Sequence, residues 1–393
     1  MTFRKSAVVG FACVIILSSC GDSDTRSTAS STTTSNTSIV EVETPTNEKP
    51  ITVTSFETET TISEIEVTAP TAPPDPRSGW PEILVFGFIP SQEITTLQDN
   101  IDVFTQVLSE ALGIEVVGTV TTDYPTLGVA MGAGEMDIGA FGPQSFILAD
   151  RQYGNMELLA QSVRYGDSTY HTQYFTNDPK VCDGDPEPGT FYYDAGNNVI
   201  AVGPTDSPQL QVGYDHDNNR DKVYAEGLRC PHPIPITVIE GRTISFVSET
   251  STSGFLVPTV QLNNAGLETD QYISIYGTGS HDSSVLNVYN GDATFGVSFN
   301  DARRNVSEQF PDVGEKVIVF NISDRIANDV VAVRRDLPKN LKDALFITMV
   351  NYIGSDSGRQ IMEGIYGWTD LQRVDTTTLD SLKLVADLID YKK

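Results

Sequence analysis

From residue 81 onward the chain alternates short apolar runs with amphipathic stretches, joined by Gly, Pro and Asp turns, and that alternation confines it to layered α/β architectures. Residues 82–88, after Pro81, predict a first strand. In 91–112 the apolar residues Ile94, Leu97, Ile101, Phe104, Val107, Leu108 and Leu112 recur at spacings of three and four, which predicts a helix stopped by Gly113. Residues 114–120 predict a second strand. Asp123 suits the N-cap of the next helix, with Pro125 tolerated in its first turn and Gly132 or Gly134 at its end. A third strand follows at 136–141, and 142–145 turn into another helix. A second series repeats the order: strand 243–247, polar loop 248–253, helix 254–264, strand 272–276, a helix led by 279–282 and reaching Tyr289, and strand 293–299. Gly134-Glu135 and Gly291-Asp292 stand in corresponding places before a strand of each series. Such repeats imply two mostly parallel sheets flanked by helices, with room for one ligand between them.

The N-terminal tract is of another kind. Arg4 and Lys5 precede an apolar run from Ala7 to Leu17, which reads as a secretory signal spanning 1–20 and is too short for a transmembrane helix. Leu17-Ser18-Ser19-Cys20 is similar to the lipobox of bacterial lipoproteins, in which the cysteine is lipidated after cleavage; the alternative is an ordinary signal peptide that contains a cysteine. Cys13 lies inside the run and would be discarded with it. Residues 21–79 are rich in Ser and Thr, then in Glu, Thr and Pro, and cannot bury enough apolar surface to offset ordering. They are expected to be an extended tether, tens of ångströms long, although 51–54 and 62–67 have the composition of short strands. No later apolar run approaches a membrane span.

The remaining residues, about 310, suit two lobes or two domains. With 39% hydrophobic residues the chain has the material for a sizeable core, and with 53 acidic against 25 basic residues its formal charge is −28. That balance excludes a general nucleic-acid binder, which needs clustered Lys and Arg to neutralise phosphates.

Ligands in open α/β sheets sit beyond the carboxyl ends of the strands, where helix N-termini offer free N–H groups. Ser251-Thr252-Ser253-Gly254 lies at such a place, and its hydroxyls and amides suit a tetrahedral oxyanion; the alternative is that Ser251 or Thr252 serves only as an N-cap. Tyr124, Gln144, Tyr170, His281, Asp301 and Asp329 are further polar residues at strand-to-helix loops or between the two series. His281 is read either as an anion donor or as a structural helix-start residue. No His or Cys spacing suggests a metal, and no cofactor is expected.

These residues carry a resemblance. Thr122-Asp123-Tyr124, Gly134-Glu135-Met136-Asp137-Ile138 with Phe141-Gly142-Pro143, Gly166-Asp167-Ser168-Thr169-Tyr170, Ser251 to Pro258, Gly279-Ser280-His281-Asp282, Ile326-Ala327-Asn328-Asp329 and Val333 to Pro338 occur in this order. From about Pro81 to its end the chain resembles the phosphate, phosphite and phosphonate substrate-binding proteins of ABC transporters, the PhnD-like family. The resemblance implies a two-lobed type II periplasmic-binding-protein fold with two crossovers. Lobe 1 is expected at 80–170 and 330–393, and lobe 2 at 171–329. Carried over, it makes Ser251, Thr252 and Ser253 an oxyanion cradle, His281 a further donor, and Tyr124 and Tyr170 contacts from the other lobe. Asp329 would face protons or an amine on the ligand. Asp301 stands where aminoalkylphosphonate binders usually carry Glu, and its shorter side chain weakens the case for an amine. The implied partners are a phosphorus oxyanion, an ABC permease and, through Cys20, the membrane; a monomer outside the cytoplasm is expected.

The chain departs from that pattern at 177–235, an insertion with Cys182 and Cys230, and at Thr294, where the family often has an acid. An exported, oxidising setting favours a Cys182–Cys230 disulfide closing a surface flap, worth about 4 kcal/mol in the chain-entropy account; two free cysteines are the alternative. Asp215-His216-Asp217-Asn218-Asn219 lacks the spacing and terminal Glu of an EF-hand calcium loop, so no metal is assigned. A ligand-sensing lipoprotein of the same fold is the alternative function. An enzyme is not expected, since the nucleophile elbow, P-loop and paired metal ligands are missing from the sequence.

Overall fold

The computed structural model describes residues 75, 77–194, 196, 198–203 and 227–390. The chain divides between Thr71 and Ala72 into two units, and every described residue belongs to the second. The signal, Cys13, Cys20, nearly all of the tether, and Asp215–Asn219 lie outside the described residues.

The two strand–helix series build two sheets. In the first, of six strands, the order across the sheet is Asp370–Gln372, Met156–Val163, Val330–Arg334, Ile138–Phe141, Ile83–Phe88 and Glu115–Val120. Ile83–Phe88 runs parallel to both Glu115–Val120 and Ile138–Phe141, as the strand–helix–strand order requires. The second sheet, of seven strands, has Thr243–Phe246 parallel to Ile273–Tyr276 and to Phe295–Phe299 in the same way. Each sheet is completed by a strand that has just crossed from the other. Val330–Arg334 inserts antiparallel between Ile138–Phe141 and Met156–Val163, and Thr172–Thr176 inserts antiparallel between Phe295–Phe299 and Ile318–Ile322. The sheets are therefore mixed, because a strand entering from the far lobe arrives pointing the other way. The crossovers pair as a small antiparallel ribbon, Thr169–Tyr170 with Ile326–Ala327.

The predicted helix after the first strand spans Ile94–Leu112 and buries Leu97, Ile101, Phe104, Leu108 and Leu112; Ile94, at its start, stays half exposed. Asp123 caps helix Tyr124–Ala133 by accepting from the Thr126 amide, and Gly134 ends it in the left-handed region. The last helix, Thr376–Asp390, packs on Pro143–Tyr153 and also reaches Val257–Asn264 of the other half. Among the described residues no helix is long and apolar enough to cross a membrane.

Cys182 and Cys230 form a disulfide. The described part of the insertion is built into the second half of the molecule rather than lying over it as a flap. Glu187–Pro188 pairs with Leu228–Arg229 at the edge of the seven-stranded sheet, and Thr190–Tyr193 pairs with Val199–Val202 as a hairpin. That hairpin touches both crossovers. The Tyr192 hydroxyl donates to Asp167 at 3.0 Å, the Tyr193 hydroxyl donates to the Ser323 carbonyl, and Arg325 lies over both rings.

Candidate anion-binding site

The loop after strand Thr243–Phe246 enters a π-type turn, Thr252–Leu256, before helix Val257–Asn264 begins. Gly254 is required there, because a Cβ would come within 2.4 Å of Val247. Ser251 caps the turn, its Oγ accepting from the Gly254 amide at 3.2 Å, and Ser251, Thr252 and Ser253 are all buried. Thr252 and Ser253 are the first residues of the turn, so their amides have no intrahelical acceptor. Capping and presentation of donors thus coexist.

These three residues form one wall of a small, partly open cavity of about 20 Å³. On the same measure a single water needs roughly 10–15 Å³, so this is space for one compact group. From the six-stranded half come Ser91, Tyr124, Gly142, Arg164 and Tyr366; His281 and Phe299 come from the other half, and Tyr170 and Asp329 from the crossovers. The halves are latched beside it. The His281 amide donates to the Ser91 carbonyl (3.0 Å), the Gln144 amide to Thr252 Oγ1 (2.9 Å), the Ser145 hydroxyl to the Thr250 carbonyl (2.8 Å) and the Glu93 amide to Asp282 Oδ2 (2.9 Å). Burial pushes the Asp282 carboxyl up to about 6.

His281 Nδ1 accepts from the Phe299 amide at 3.3 Å and lies 2.9 Å from the Ser298 hydroxyl. A ring nitrogen that accepts from an amide carries no proton, so this network assigns the hydrogen to Nε2, 3.5 Å from Ser251 Oγ. Burial, helped by the Arg164 charge, lowers the imidazole to about 3 and keeps it a neutral donor. Burial raises the Tyr124 phenol well above its ordinary value and Tyr170 to about 12, with the Asp329 charge adding to both, so both keep their O–H. The Tyr124 hydroxyl is buried beside the Ser251 side chain.

Of the residues singled out from sequence, Tyr124, Tyr170, Ser251, Thr252, Ser253, His281 and Asp329 converge on this cavity. Asp301 does not. It is wholly buried behind the site and held by Arg303, whose Nη2 donates to Oδ2 at 2.7 Å and whose Nε reaches both oxygens, so it has no carboxylate to offer a ligand amine. Gln144 contributes its amide to Thr252 rather than lining the cavity. Arg164 and Tyr366 were missed. Arg164 is the first residue after strand Met156–Val163 and stands two residues before the Gly166 to Tyr170 motif, at a strand end of the kind that faces ligands in α/β sheets. Tyr366 is placed by a positive φ of 80° and a hydrogen bond to the Ile89 carbonyl, and nothing local in the sequence announces it.

Two half-molecules, each with its own sheet, joined by two crossovers and closing over a donor-lined cavity, define the two-lobed type II periplasmic-binding-protein class. Residues 86–379 match the family described as ABC transporter, phosphonate, periplasmic substrate-binding protein, and the chain belongs to that family. Its members act outside the cytoplasm. The chain is 25% identical over 230 residues to the phosphate-import protein PhnD of Mycolicibacterium smegmatis, an alignment covering 56% of each protein. The chain thus spans little more than half the length of that curated relative. Among solved structures, PhnD1 of Prochlorococcus marinus in complex with methylphosphonate is similar in fold, with a TM-score of 0.60 at 18% identity over 80% of this chain and 99% of that one. A binding protein of a Pseudomonas aeruginosa ABC phosphonate transporter gives 0.57 at 17% identity over 77% of this chain and 85% of that one.

Proposed function

We propose that this chain is a non-enzymatic receptor that captures a phosphorus oxyanion between its lobes and delivers it to the permease of an ABC transporter. The observation that carries this reading is the cavity, where three consecutive hydroxyl residues at a helix start, a neutral His281 with its hydrogen on Nε2 and two protonated tyrosines converge. Apart from the Arg164–Asp329 pair, the polar groups on the wall are neutral dipoles fixed in place, which stabilise a buried anion without further buried ions in a chain of formal charge −28. The methylphosphonate held by the Prochlorococcus relative and the phosphate named for the Mycolicibacterium one support the same ligand class.

In this reading lobe 1 comprises 80–170 and 330–393 and lobe 2 comprises 171–329, and the crossovers are the hinge on which they close. The signal at 1–20 exports the chain, a lipid on Cys20 anchors it, and the tether at 21–79 carries a monomeric receptor to the permease. Asp329 supplies selectivity. Both of its donors go to Oδ2, from Arg164 and from Trp368 Nε1 at 3.3 Å, leaving Oδ1 to accept the proton of a protonated oxyanion and to repel unprotonated sulfate. Calorimetric titration with phosphate, phosphite, methylphosphonate and sulfate tests this. Sub-micromolar binding of a phosphorus anion with none of sulfate is expected; silence to every phosphorus anion from folded, ligand-free protein would refute it.

A further inference from the structure

Among the described residues Arg164 is the one arginine on the cavity wall, in a chain with twice as many acids as bases. Its guanidinium lies between the rings of Tyr170 and Phe299, 5.2 and 5.6 Å from their centroids, and pairs through Nη2 with Asp329. Its Nε is buried without a hydrogen-bond partner among the described residues, and the side chain is only 14% exposed. A tight turn fixes it. Arg164 and Asp167 exchange both backbone hydrogen bonds, and Tyr165 and Gly166 between them take positive φ of 53° and 86°. Positive φ is uncommon for a tyrosine, and here it sets the exit angle of the residue before it.

The charges on the wall then sum simply: one guanidinium, one carboxylate already engaged by it, and otherwise neutral donors. A ligand ammonium entering this space would meet Arg164 and find no carboxylate free of a cation. The other acid expected to meet it, Asp301, is sealed against Arg303.

Resting on the reading of this cavity as a phosphorus-oxyanion site, we infer that Arg164 determines its specificity, supplying the counter-charge for a compact oxyanion and excluding ligands that carry an ammonium group. Among phosphorus anions, monohydrogen phosphate fits this description, being small, doubly charged and the bearer of a single proton for Asp329 Oδ1.

The test is titration of the full-length protein with inorganic phosphate and with 2-aminoethylphosphonate, for wild type, Arg164→Gln and Arg164→Lys, with melting temperatures alongside. Wild type is expected to favour phosphate by about a hundredfold or more. Arg164→Gln should bind phosphate about ten to a hundred times more weakly, as expected for a lost hydrogen bond between charged groups. Its preference for phosphate should narrow as Asp329 becomes available to an ammonium. Arg164→Lys, which keeps the charge but not the planar fork, should hold the preference at reduced affinity. A folded Arg164→Gln with wild-type affinity and preference overturns the inference while leaving the oxyanion site standing. If that variant does not fold, equal wild-type affinities for the two ligands overturn it. A wild type that binds neither ligand overturns the site and this inference together.

Discussion

Two buried Arg–Asp pairs stand on either side of the cavity wall, and they do different work. Arg303–Asp301 is sealed, its side chains 1% and 0% exposed, with the guanidinium also donating to the Leu228 and Val317 carbonyls at 3.0 and 2.6 Å. Every strong donor and acceptor in it is answered, and it ties the edge of the seven-stranded sheet to the helix after strand Phe295–Phe299. Arg164–Asp329 is incomplete: among the described residues Nε has no partner, both side-chain donors to Asp329 go to Oδ2, and the side chains are 14% and 11% exposed. A completed pair holds a fold, whereas an incomplete one at a closing interface holds something for a ligand. Among the described residues two histidines are buried, and they lie on different sides of this division. His281 belongs to the cavity, and His171 lies on the sealed side, its amide bound to Asn300; burial lowers both to about 3.

Removing one partner of the sealed pair should give the largest effect. Asp301→Ala should destabilise the protein by about 3–5 kcal/mol through the stranded guanidinium, measured by urea denaturation, with ligand affinity unchanged in whatever remains folded. If affinity falls while stability holds, the two pairs have been assigned the wrong way round. Asp329→Asn should do the reverse, relaxing discrimination against sulfate by about 2 kcal/mol with a smaller change in melting temperature. Intact sulfate rejection would remove Asp329 from the proton-reading role. Thr252→Ala should weaken anion binding by about 1–3 kcal/mol, since it removes a hydroxyl from the cradle and the acceptor for the Gln144 amide.

The smallest effect is in pH. Below the ordinary histidine value near 6.5, unfolding lets His281 and His171 take up protons they refuse when folded, so stability falls with pH. Asp282, raised to about 6 when folded, opposes this by giving up a proton on unfolding. Two uptakes against one release make these three groups' contribution a net loss of about 1.4 kcal/mol per pH unit between roughly pH 6 and pH 5. Denaturation midpoints at the two pH values check it, and His281→Asn should flatten the slope.

The strand–helix order, the Asp123 cap and the Ser251-Thr252-Ser253 turn were legible because each is a local matter of periodicity or of a hydroxyl before a helix. The antiparallel strands Val330–Arg334 and Thr172–Thr176 were not, since their direction is set by the crossing from one lobe to the other. Asp301 and Asp329 look alike in sequence, and which arginine answers each is decided by packing: Arg303 is two residues from Asp301, whereas Arg164 is 165 residues from Asp329. The insertion disclosed its disulfide through its setting, but not that its hairpin would rest on both crossovers.

The central claim is that the inter-lobe cavity holds a phosphorus oxyanion, and a crystal structure of the protein grown with inorganic phosphate tests it most directly. The account predicts one phosphate in the cavity, with oxygens within hydrogen-bonding distance of the Ser251, Thr252 and Ser253 donors, His281 Nε2 and the Tyr124 hydroxyl, and one facing Asp329 Oδ1. A closed cavity without the anion at saturating phosphate, or phosphate bound only elsewhere, would contradict it.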